Sequence, residues 1–315
     1  MCRKLICLVS FVLVLSLAGS AWSLEILIDD DFNGGGVDVG DAESVNGGFT
    51  LIPNSLAVES TIVETGSNAE VNVVGDATAN AGIVSNTSID PLSEAALTEG
   101  LTIRWVVASL AGNPDYNGNT YAIATDSVFF NGLPHIGLEF SGTRSGDNQV
   151  AVRFRDPPNG IERTIISGQQ AYEESSYMDG FTAEFTVSQT GWSYKITGLN
   201  DPSGTPTIFT ESNTWVDSGL AETFLSDLLD NDCYVSAFYQ GGGTITQYDR
   251  CTVYIGEMPV WEATNPGPAN RATGVQRDVA LSWEPARVSR DMMYIWPTIL
   301  TMSTMLPGIT HSVCW

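Results

Sequence analysis

Positive charge is scarce in this sequence. Its 315 residues include 13 Lys and Arg against 37 Asp and Glu, so the formal net charge is −24. A surface this acidic repels phosphate at long range, which argues against nucleic acid as a partner. Histidine is rarer still, since His135 and His311 are the only two. That leaves little room for a His-rich metal centre or for a catalytic triad built on histidine.

Hydrophobic residues, in contrast, are plentiful. They make up 43% of the chain, and the aromatic residues are 8 Trp, 10 Tyr and 12 Phe. This content rules out a disordered chain. The length suffices for one large domain of roughly 200–250 residues and a smaller one.

Residues 1–23 are typical of a signal peptide. A basic start and an apolar stretch over 5–17 precede Ala21 and Ser23, which fit positions −3 and −1 of a cleavage site. A membrane anchor is the alternative, but the apolar stretch is short for a span. We therefore expect a secreted, cell-surface or periplasmic protein with no membrane span in the mature chain. Cleavage would leave 37 acidic and 11 basic residues, a net charge of −26.

Two of the five cysteines, Cys2 and Cys7, leave with this peptide. Cys233 and Cys251 flank two strand-like runs joined by a triple glycine, and a hairpin turning at Gly242 would set them opposite each other. An exported protein meets an oxidising environment. The sequence therefore predicts a disulfide between Cys233 and Cys251, with two buried free thiols as the alternative.

Strand-like patterns fill the segment 24–258. Residues 181–187 alternate strictly between apolar and polar types, and 192–196 answer them across a short turn. One short helix is expected over 220–229. Many strands and almost no helix predict an all-β, two-sheet antiparallel sandwich. Further strands are expected at 57–63, 101–107, 121–130, 136–140, 149–155 and 233–240.

The two ends of this segment resemble one family. The run 28–34, IDDDFNG, resembles the opening strand of concanavalin A-like lectin/glucanase (laminin-G-like) domains of secreted bacterial proteins. The run 247–254, QYDRCTVY, resembles their closing strand. The resemblance covers 24–258 and implies a jelly roll in which the first and last strands lie side by side. It also implies binding of carbohydrate.

The chain changes character near residue 259. Residues 259–285 are interpreted as a linker and the first strand of a truncated β-sandwich module, which the resemblance implies is immunoglobulin- or fibronectin-like. The stretch 286–315 holds four of the seven Met, few charges and no alternation. We interpret it as an out-of-frame tail that follows a frameshift near Pro285.

Calcium is the cofactor that the resemblance implies. The family places a calcium ion beside its closing strand, which here points to Asp249, with Asp30 or Asp31 of the opening strand as further ligands. Calcium takes six to eight oxygen ligands, and clustered Asp side chains supply them. A solvated acidic edge is the alternative.

Aromatic residues beside Asn and Gly are candidates for sugar contact, because sugars stack on aromatic faces while polar groups fix their hydroxyls. Tyr116, Asn117 and Asn119 lie together in one such loop, Trp215 follows Asn213, and Tyr239 precedes the triple glycine. Turn chemistry alone also explains Asn/Gly loops.

Catalysis is the competing class of function. Glucanases of this family carry a Glu-x-Asp-x-x-Glu strand, and that motif is absent from the sequence. Glu139 and Glu184 are single carboxylates. Arg153 and Arg155 share one strand face, which suits sulfated or carboxylated glycans or, alternatively, neutralises neighbouring acids.

The sequence thus predicts an exported, non-catalytic protein that binds extracellular polysaccharide or a cell-surface glycan. The alternatives are a structural or adhesion module without a sugar site and a divergent glycan-active enzyme.

Overall fold

The structure of the chain is a computed structural model. It describes residues 24–32, 48–53, 57, 59–64, 68–75, 79–111, 119–127, 132–141, 148–167, 170–240, 243–256, 264–267 and 282–284. Contacts divide the chain into two compact units. One is Ser23–Gly256, and the other joins Met1–Trp22 to Glu257–Trp315.

The unit Ser23–Gly256 is built from sixteen described strands, three short described α-helices and one described 3-10 helix, Pro157–Asn159. The helices are α1 (Glu94–Glu99), α2 (Glu174–Met178) and α3 (Phe224–Leu228). The strands are β1 (Glu25–Asp30), β2 (Phe49–Pro53), β3 (Thr61–Glu64), β4 (Ala69–Val73), β5 (Asn80–Ser85), β6 (Leu101–Ala111), β7 (Thr120–Ala124), β8 (His135–Ser141), β9 (Gln149–Asp156), β10 (Ile161–Ile165), β11 (Gln170–Ala171), β12 (Phe181–Val187), β13 (Gly191–Thr197), β14 (Phe209–Thr214), β15 (Tyr234–Gln240) and β16 (Thr244–Ile255).

These strands form two eight-stranded sheets, and every pairing in them is antiparallel. Sheet A has the order β14-β13-β12-β6-β16-β4-β3, with β1 beside β16. Sheet B has the order β10-β9-β8-β7-β15-β5-β2, with β11 beside β9. The predicted all-β fold of two antiparallel sheets is confirmed.

The core lies between the sheets because each strand turns its apolar positions to the same side. In β12, Phe181, Ala183, Phe185 and Val187 are buried, and the residues between them are partly exposed. The Phe181 ring packs on aromatic residues of sheet B, with ring centroids 4.8 Å from that of Phe140. This face-to-face burial is the main source of stability in a sandwich.

The first and last strands of the sandwich are neighbours, as expected. β1 pairs antiparallel with β16, and Asp30 lies opposite Cys251. A bulge in β16 falls between Tyr248 and Arg250, so Asp249 has no partner in the register with β6. The acidic start of the domain therefore meets the closing strand next to this bulge, and the register of β1 with β16 has its own shift between Ile26 and Ile28.

The predicted disulfide is wrong. β15 belongs to sheet B and β16 to sheet A, so these two strands do not pair as a hairpin. Cys233 forms an isolated bridge with Ile89, whereas Cys251 pairs with Trp105 and Asp30. Both cysteines are buried free thiols, which was the alternative.

The unit that contains the C-terminal residues has two described strands, β17 (Thr264–Gly267) and β18 (Ser282–Glu284), which pair antiparallel. β17 lies in the segment expected to be a linker. The expected tail 286–315 and signal peptide 1–23 lie outside the described residues. Within the described ranges, no helix has the length and apolar character needed to cross a membrane.

Candidate functional site

A cleft of 380 Å³ opens where the turn between β12 and β13 meets the end of β14. Six of the nine residues that line it carry hydroxyl groups, one carries an amide, and none is charged. They are Thr186, Ser188, Thr190, Gly191, Trp192, Ser193, Ser212, Asn213 and Thr214. A neutral cleft is notable in a chain whose formal charge is −24.

Strand register builds the hydroxyl wall of this cleft. Thr186 lies opposite Ser193, and Ser193 lies opposite Ser212, so one row crosses β12, β13 and β14 on the same face. The Thr186 hydroxyl shares a 2.7 Å hydrogen bond with that of Thr102 on β6. The hydroxyls of Ser193 and Ser212 have no hydrogen-bond partner among the described residues. Both are therefore available to a ligand.

Trp192 closes the inner side of the cleft. It is buried, and its indole N–H donates to the Ser218 hydroxyl at 3.0 Å. Its ring stacks on Tyr194 with a centroid separation of 6.2 Å and planes 6° apart. Tyr194 in turn donates to Glu211 at 3.2 Å, and burial raises the pKa of the Tyr194 phenol, with Glu211 adding to the effect. Trp192 and Tyr194 lie on the core face of β13, opposite to Ser193, so these contacts fix the ring behind the hydroxyl wall.

Gly191 permits the close approach of β14. A Cβ atom at this position would lie 2.1 Å from the Asn213 carbonyl oxygen and 2.8 Å from the Thr214 Cα atom. Both contacts are with backbone, which cannot move aside cheaply. Only glycine therefore allows the strand pairing that brings Asn213 to the cleft.

Trp215 is not the exposed stacking ring that the sequence predicted. It is 0% exposed, and its ring packs on Phe224 at 5.1 Å. Its indole N–H donates to the Ser188 carbonyl at 3.0 Å, and its backbone N–H donates to the Thr190 carbonyl at 3.1 Å. Trp215 thus holds the turn that forms one side of the cleft, without touching the space inside it.

Two other predicted sugar contacts, Asn119 and Tyr239, lie at the opposite end of the sandwich. Asn119 immediately precedes β7 and is 3% exposed, and its buried amide nitrogen has no hydrogen-bond partner. Tyr239 lies in β15 opposite Ala81. Phe238 pairs with Thr120. The chain neighbours of this pair, Asn119 and Tyr239, therefore lie at the same end of sheet B. Their role in sugar binding stays a prediction.

Two members of that predicted set, Tyr116 and Asn117, lie outside the described residues, as does the side chain of Tyr239. For Tyr116 and Asn117, the structure therefore gives only the two strands that their segment connects. β6 ends at Ala111, and β7 begins at Thr120.

The three predicted calcium ligands have different surroundings. Asp30 is buried, and its two carboxylate oxygens accept the backbone N–H groups of Phe32 and Gly48 at 3.0 and 2.9 Å. Asp31 is exposed. Asp249 is exposed at the bulge of β16, where partial burial raises the pKa of its carboxyl group.

The described residues include no group of three or more His, Cys, Asp or Glu side chains placed to hold a metal ion. Asp29, on the outer face of β1, is already paired with Arg250 at 2.6 and 2.5 Å and with the Thr252 hydroxyl at 3.1 Å. Calcium binding stays a prediction.

No protein-family model matches the chain, and no curated protein matches it. Solved structures are similar to it. Basic winged bean lectin with Tn-antigen has a TM-score of 0.49 and 10% identity, covering 74% of this chain and 98% of its own. Lectin I from Ulex europaeus with the methyl glycoside of α-L-fucose has a TM-score of 0.46 and 12% identity, covering 74% and 98%. The lectin from Bauhinia forficata with GalNAc has a TM-score of 0.45 and 10% identity, covering 75% and 98%.

These structures are legume lectins, which have the concanavalin A-like jelly-roll fold. At identities of 10–12% the likeness concerns the fold alone. The location of a site in this chain therefore rests on the geometry described above.

The two carboxylates considered for catalysis are both held in ion pairs. Glu184 on β12 contacts Arg104 on β6 at 3.3 Å. Glu139 on β8 contacts Arg153 at 3.2 Å and also pairs with Arg163. A general acid or nucleophile needs access to substrate, and neither residue lines the cleft. The prediction that the protein is not an enzyme stays a prediction.

Proposed function

We propose that the protein is an exported, non-catalytic carbohydrate-binding protein that holds a neutral sugar in the cleft between β12, β13 and β14. The observation that carries the proposal is the composition of the cleft. Six hydroxyl-bearing residues and one amide surround it beside a tryptophan, without any charge.

Neutral sugars present many hydroxyl groups that donate and accept hydrogen bonds. A wall of hydroxyl and amide groups satisfies them without the desolvation cost that a charged group imposes. The unpartnered hydroxyls of Ser193 and Ser212 supply donors and acceptors on adjacent strands. Because neither holds the fold together, both are free to exchange water for a ligand.

Export follows from the basic and apolar pattern of residues 1–23. An exported acidic protein meets polysaccharides and cell-surface glycans, so these are the proposed partners. A contribution of calcium to binding is part of the same proposal and depends on Asp249, with Asp30 or Asp31.

A glycan-array screen of the full chain tests the proposal, run once with calcium and once with a chelator. The test variant is Ser193→Ala with Ser212→Ala. Its matched control is Thr182→Ala with Thr197→Ala, which removes two hydroxyls from an opposed pair on β12 and β13 away from the cleft. We expect the test variant to lose binding and the control to keep it. One lost hydrogen bond of about 1 kcal/mol reduces affinity roughly fivefold, and two reduce it about 30-fold.

The other outcomes are equally informative. Loss of binding in Tyr116→Ala, with binding kept in the serine variant, would move the site to the segment between β6 and β7. Loss on chelation would add calcium to the mechanism. A blank array from folded protein would overturn the proposal in favour of a structural or adhesion module, and cleavage of a bound glycan would favour an enzyme.

A further inference from the structure

An arginine pair lies on the outer face of sheet B. Ile136, Leu138 and Phe140 of β8 point into the core, so Glu139 between them points outward. The same alternation in β9 turns Arg153 outward, since Val152 is in the core. Arg163 reaches Glu139 from the edge strand β10.

One carboxylate serves both guanidinium groups in this cluster. Oε1 of Glu139 contacts Nη1 of Arg153 at 3.2 Å, and the same oxygen pairs with Arg163. The cluster therefore carries a net charge of +1. Because the whole chain has only 13 Lys and Arg against 37 acidic residues, a patch in which arginines outnumber carboxylates is unusual for this protein.

The Arg153 guanidinium is incompletely satisfied. Its side chain is 10% exposed, and its Nε atom is buried with no hydrogen-bond partner. A buried donor that belongs to a charged group is costly when it has no acceptor. Burial also lowers the pKa of both Arg153 and Arg163, because each cation loses water. Arg163 is 48% exposed and so presents its guanidinium to solvent.

This arrangement differs from the pair that the sequence indicated. Arg155 shares the face of Arg153, but it is bound to Glu162 at 2.8 Å, so that ion pair is balanced. The surplus of positive charge therefore lies between Arg153 and Arg163, which come from different strands.

We propose that Arg153 and Arg163 bind an oxyanion, the sulfate or carboxylate group of an acidic glycan, as a site distinct from the neutral cleft. Guanidinium groups match such oxyanions in geometry and charge. Glu139 occupies the site in the free protein and competes with the incoming anion. The inference that a glycan bears this sulfate or carboxylate group rests on the proposed function. The anion site itself does not, since it is tested with inorganic sulfate.

The first experiment exchanges chloride for sulfate at constant ionic strength and follows the thermal unfolding midpoint of the full chain. A ligand that binds the folded state raises this midpoint. We expect sulfate to stabilise the wild-type protein and Arg163→Gln to weaken the apparent affinity for sulfate about tenfold, the loss of one charge-assisted contact. Arg163→Lys should restore part of the response. The matched control is Arg104→Gln, an arginine in a one-to-one pair with Glu184 on sheet A.

Glu139→Gln gives a prediction of opposite sign. Removing the competing carboxylate should strengthen the sulfate response, whereas a purely structural role for Glu139 would weaken or abolish it. The proposal is overturned if Arg163→Gln and Arg104→Gln respond equally to sulfate. It is also overturned if Glu139→Gln lowers the response of folded protein.

The second experiment identifies the carrier. A sulfated polysaccharide, its desulfated form and polygalacturonate are titrated against wild-type protein and Arg163→Gln. Binding of the sulfated form alone assigns sulfate, and binding of polygalacturonate assigns carboxylate. If no neutral glycan binds but sulfate still stabilises the protein, the proposed sugar site in the cleft is refuted and the proposed anion site is supported. If no polysaccharide binds, the assignment of a glycan as carrier is overturned.

Discussion

The carboxylate of Asp30 connects two stretches of chain that lie far apart in sequence. It is 1% exposed, and it accepts backbone N–H groups from Phe32 and from Gly48, 18 residues away. Phe32 has a φ of 55°, a left-handed conformation that costs a residue other than glycine roughly 1–3 kcal/mol. Its ring nevertheless stacks 6.5 Å from that of Trp105 in the core. The Asp30 carboxylate therefore stabilises the left-handed backbone at Phe32, which places the Phe32 ring in the core.

Asp30→Ala should be strongly destabilising. It leaves two buried N–H groups without these acceptors, and a hydrogen bond to a charged group contributes about 1.5–3 kcal/mol. We expect the free energy of unfolding to fall by about 3–6 kcal/mol. Asp30→Asn keeps one acceptor oxygen and should lose about half as much. The control is Asp31→Ala, an exposed neighbour whose replacement should change stability by less than about 0.5 kcal/mol.

Urea unfolding followed by tryptophan fluorescence measures these differences, in calcium and in chelator. If Asp30 acts through the backbone, the wild-type protein keeps its stability in chelator and the variant is weaker in both buffers. If Asp30 acts through calcium, chelation lowers the wild-type protein to the level of the variant. A loss below about 1 kcal/mol in Asp30→Ala would refute the reasoning from buried hydrogen bonds.

Three further predictions follow from burial. Cys233 and Cys251 should resist a thiol reagent at about pH 8 in folded protein and react on unfolding; an intact mass two hydrogens lighter without reductant would show a disulfide instead. Burial raises the pKa of both the Cys233 thiol and the Tyr254 phenol to about 12. In the unfolded chain these pKa values are about 8.5 and 10. The two groups therefore contribute fully to the free energy of unfolding below those values, and the contribution is lost as pH rises to about 12. A urea midpoint that stays level across this range would contradict it. Gly191→Ala should cost about 1–3 kcal/mol by overlap with the Asn213 carbonyl; unchanged stability would contradict the close strand approach.

Local patterns predicted individual strands well. Residues 181–187 were expected as a strand from strict alternation, and β12 has those bounds. The expected strand 57–63 starts late, because the Ser60 N–H donates to the Ala57 carbonyl in a turn and pairing begins at Thr61. The expected strand 121–130 ends early, because β7 stops at Ala124 and residues 125–127 lie outside any strand.

Partners across the sandwich could not be predicted in the same way. Two strands joined by a triple glycine fit a hairpin and a connection between sheets equally well, and the choice depends on strands far away in sequence. Trp215 follows exposed polar residues of β14, so its position favoured a loop aromatic. It is buried through contacts with the 188–190 turn and with Phe224, which no local pattern encodes.

Two of the three residues in the hydroxyl row could be predicted from the sequence. The alternation of residues 181–187 turns Thr186 outward, and the short turn to the next strand sets Ser193 opposite it. Ser212 was not predictable, because no pattern marked β14 as the third strand of this row. The cleft therefore emerges from pairing register, and single residue types give little indication of it.

The two proposed sites flank the same edge of the sandwich, the cleft on the outer face of sheet A and the arginine pair on the outer face of sheet B. β14 is an edge of sheet A and β10 is an edge of sheet B, and Gln170 of β11 donates to the Thr210 carbonyl of β14 at 3.4 Å across the sheets. One long acidic glycan would then contact the neutral cleft and the arginine pair together, which raises affinity through effective concentration. Arg163→Gln and the double serine variant should each lower the affinity for such a polysaccharide. Combining them should lower the affinity by less than the product of the two separate fold-changes, because after the first change the polysaccharide no longer contacts both sites at once. Stabilisation by inorganic sulfate should fall in Arg163→Gln and stay unchanged in the double serine variant. If the two sites bind separate chains, either single variant leaves a chain bound at the other site and lowers the apparent affinity little, and only the combination lowers it strongly.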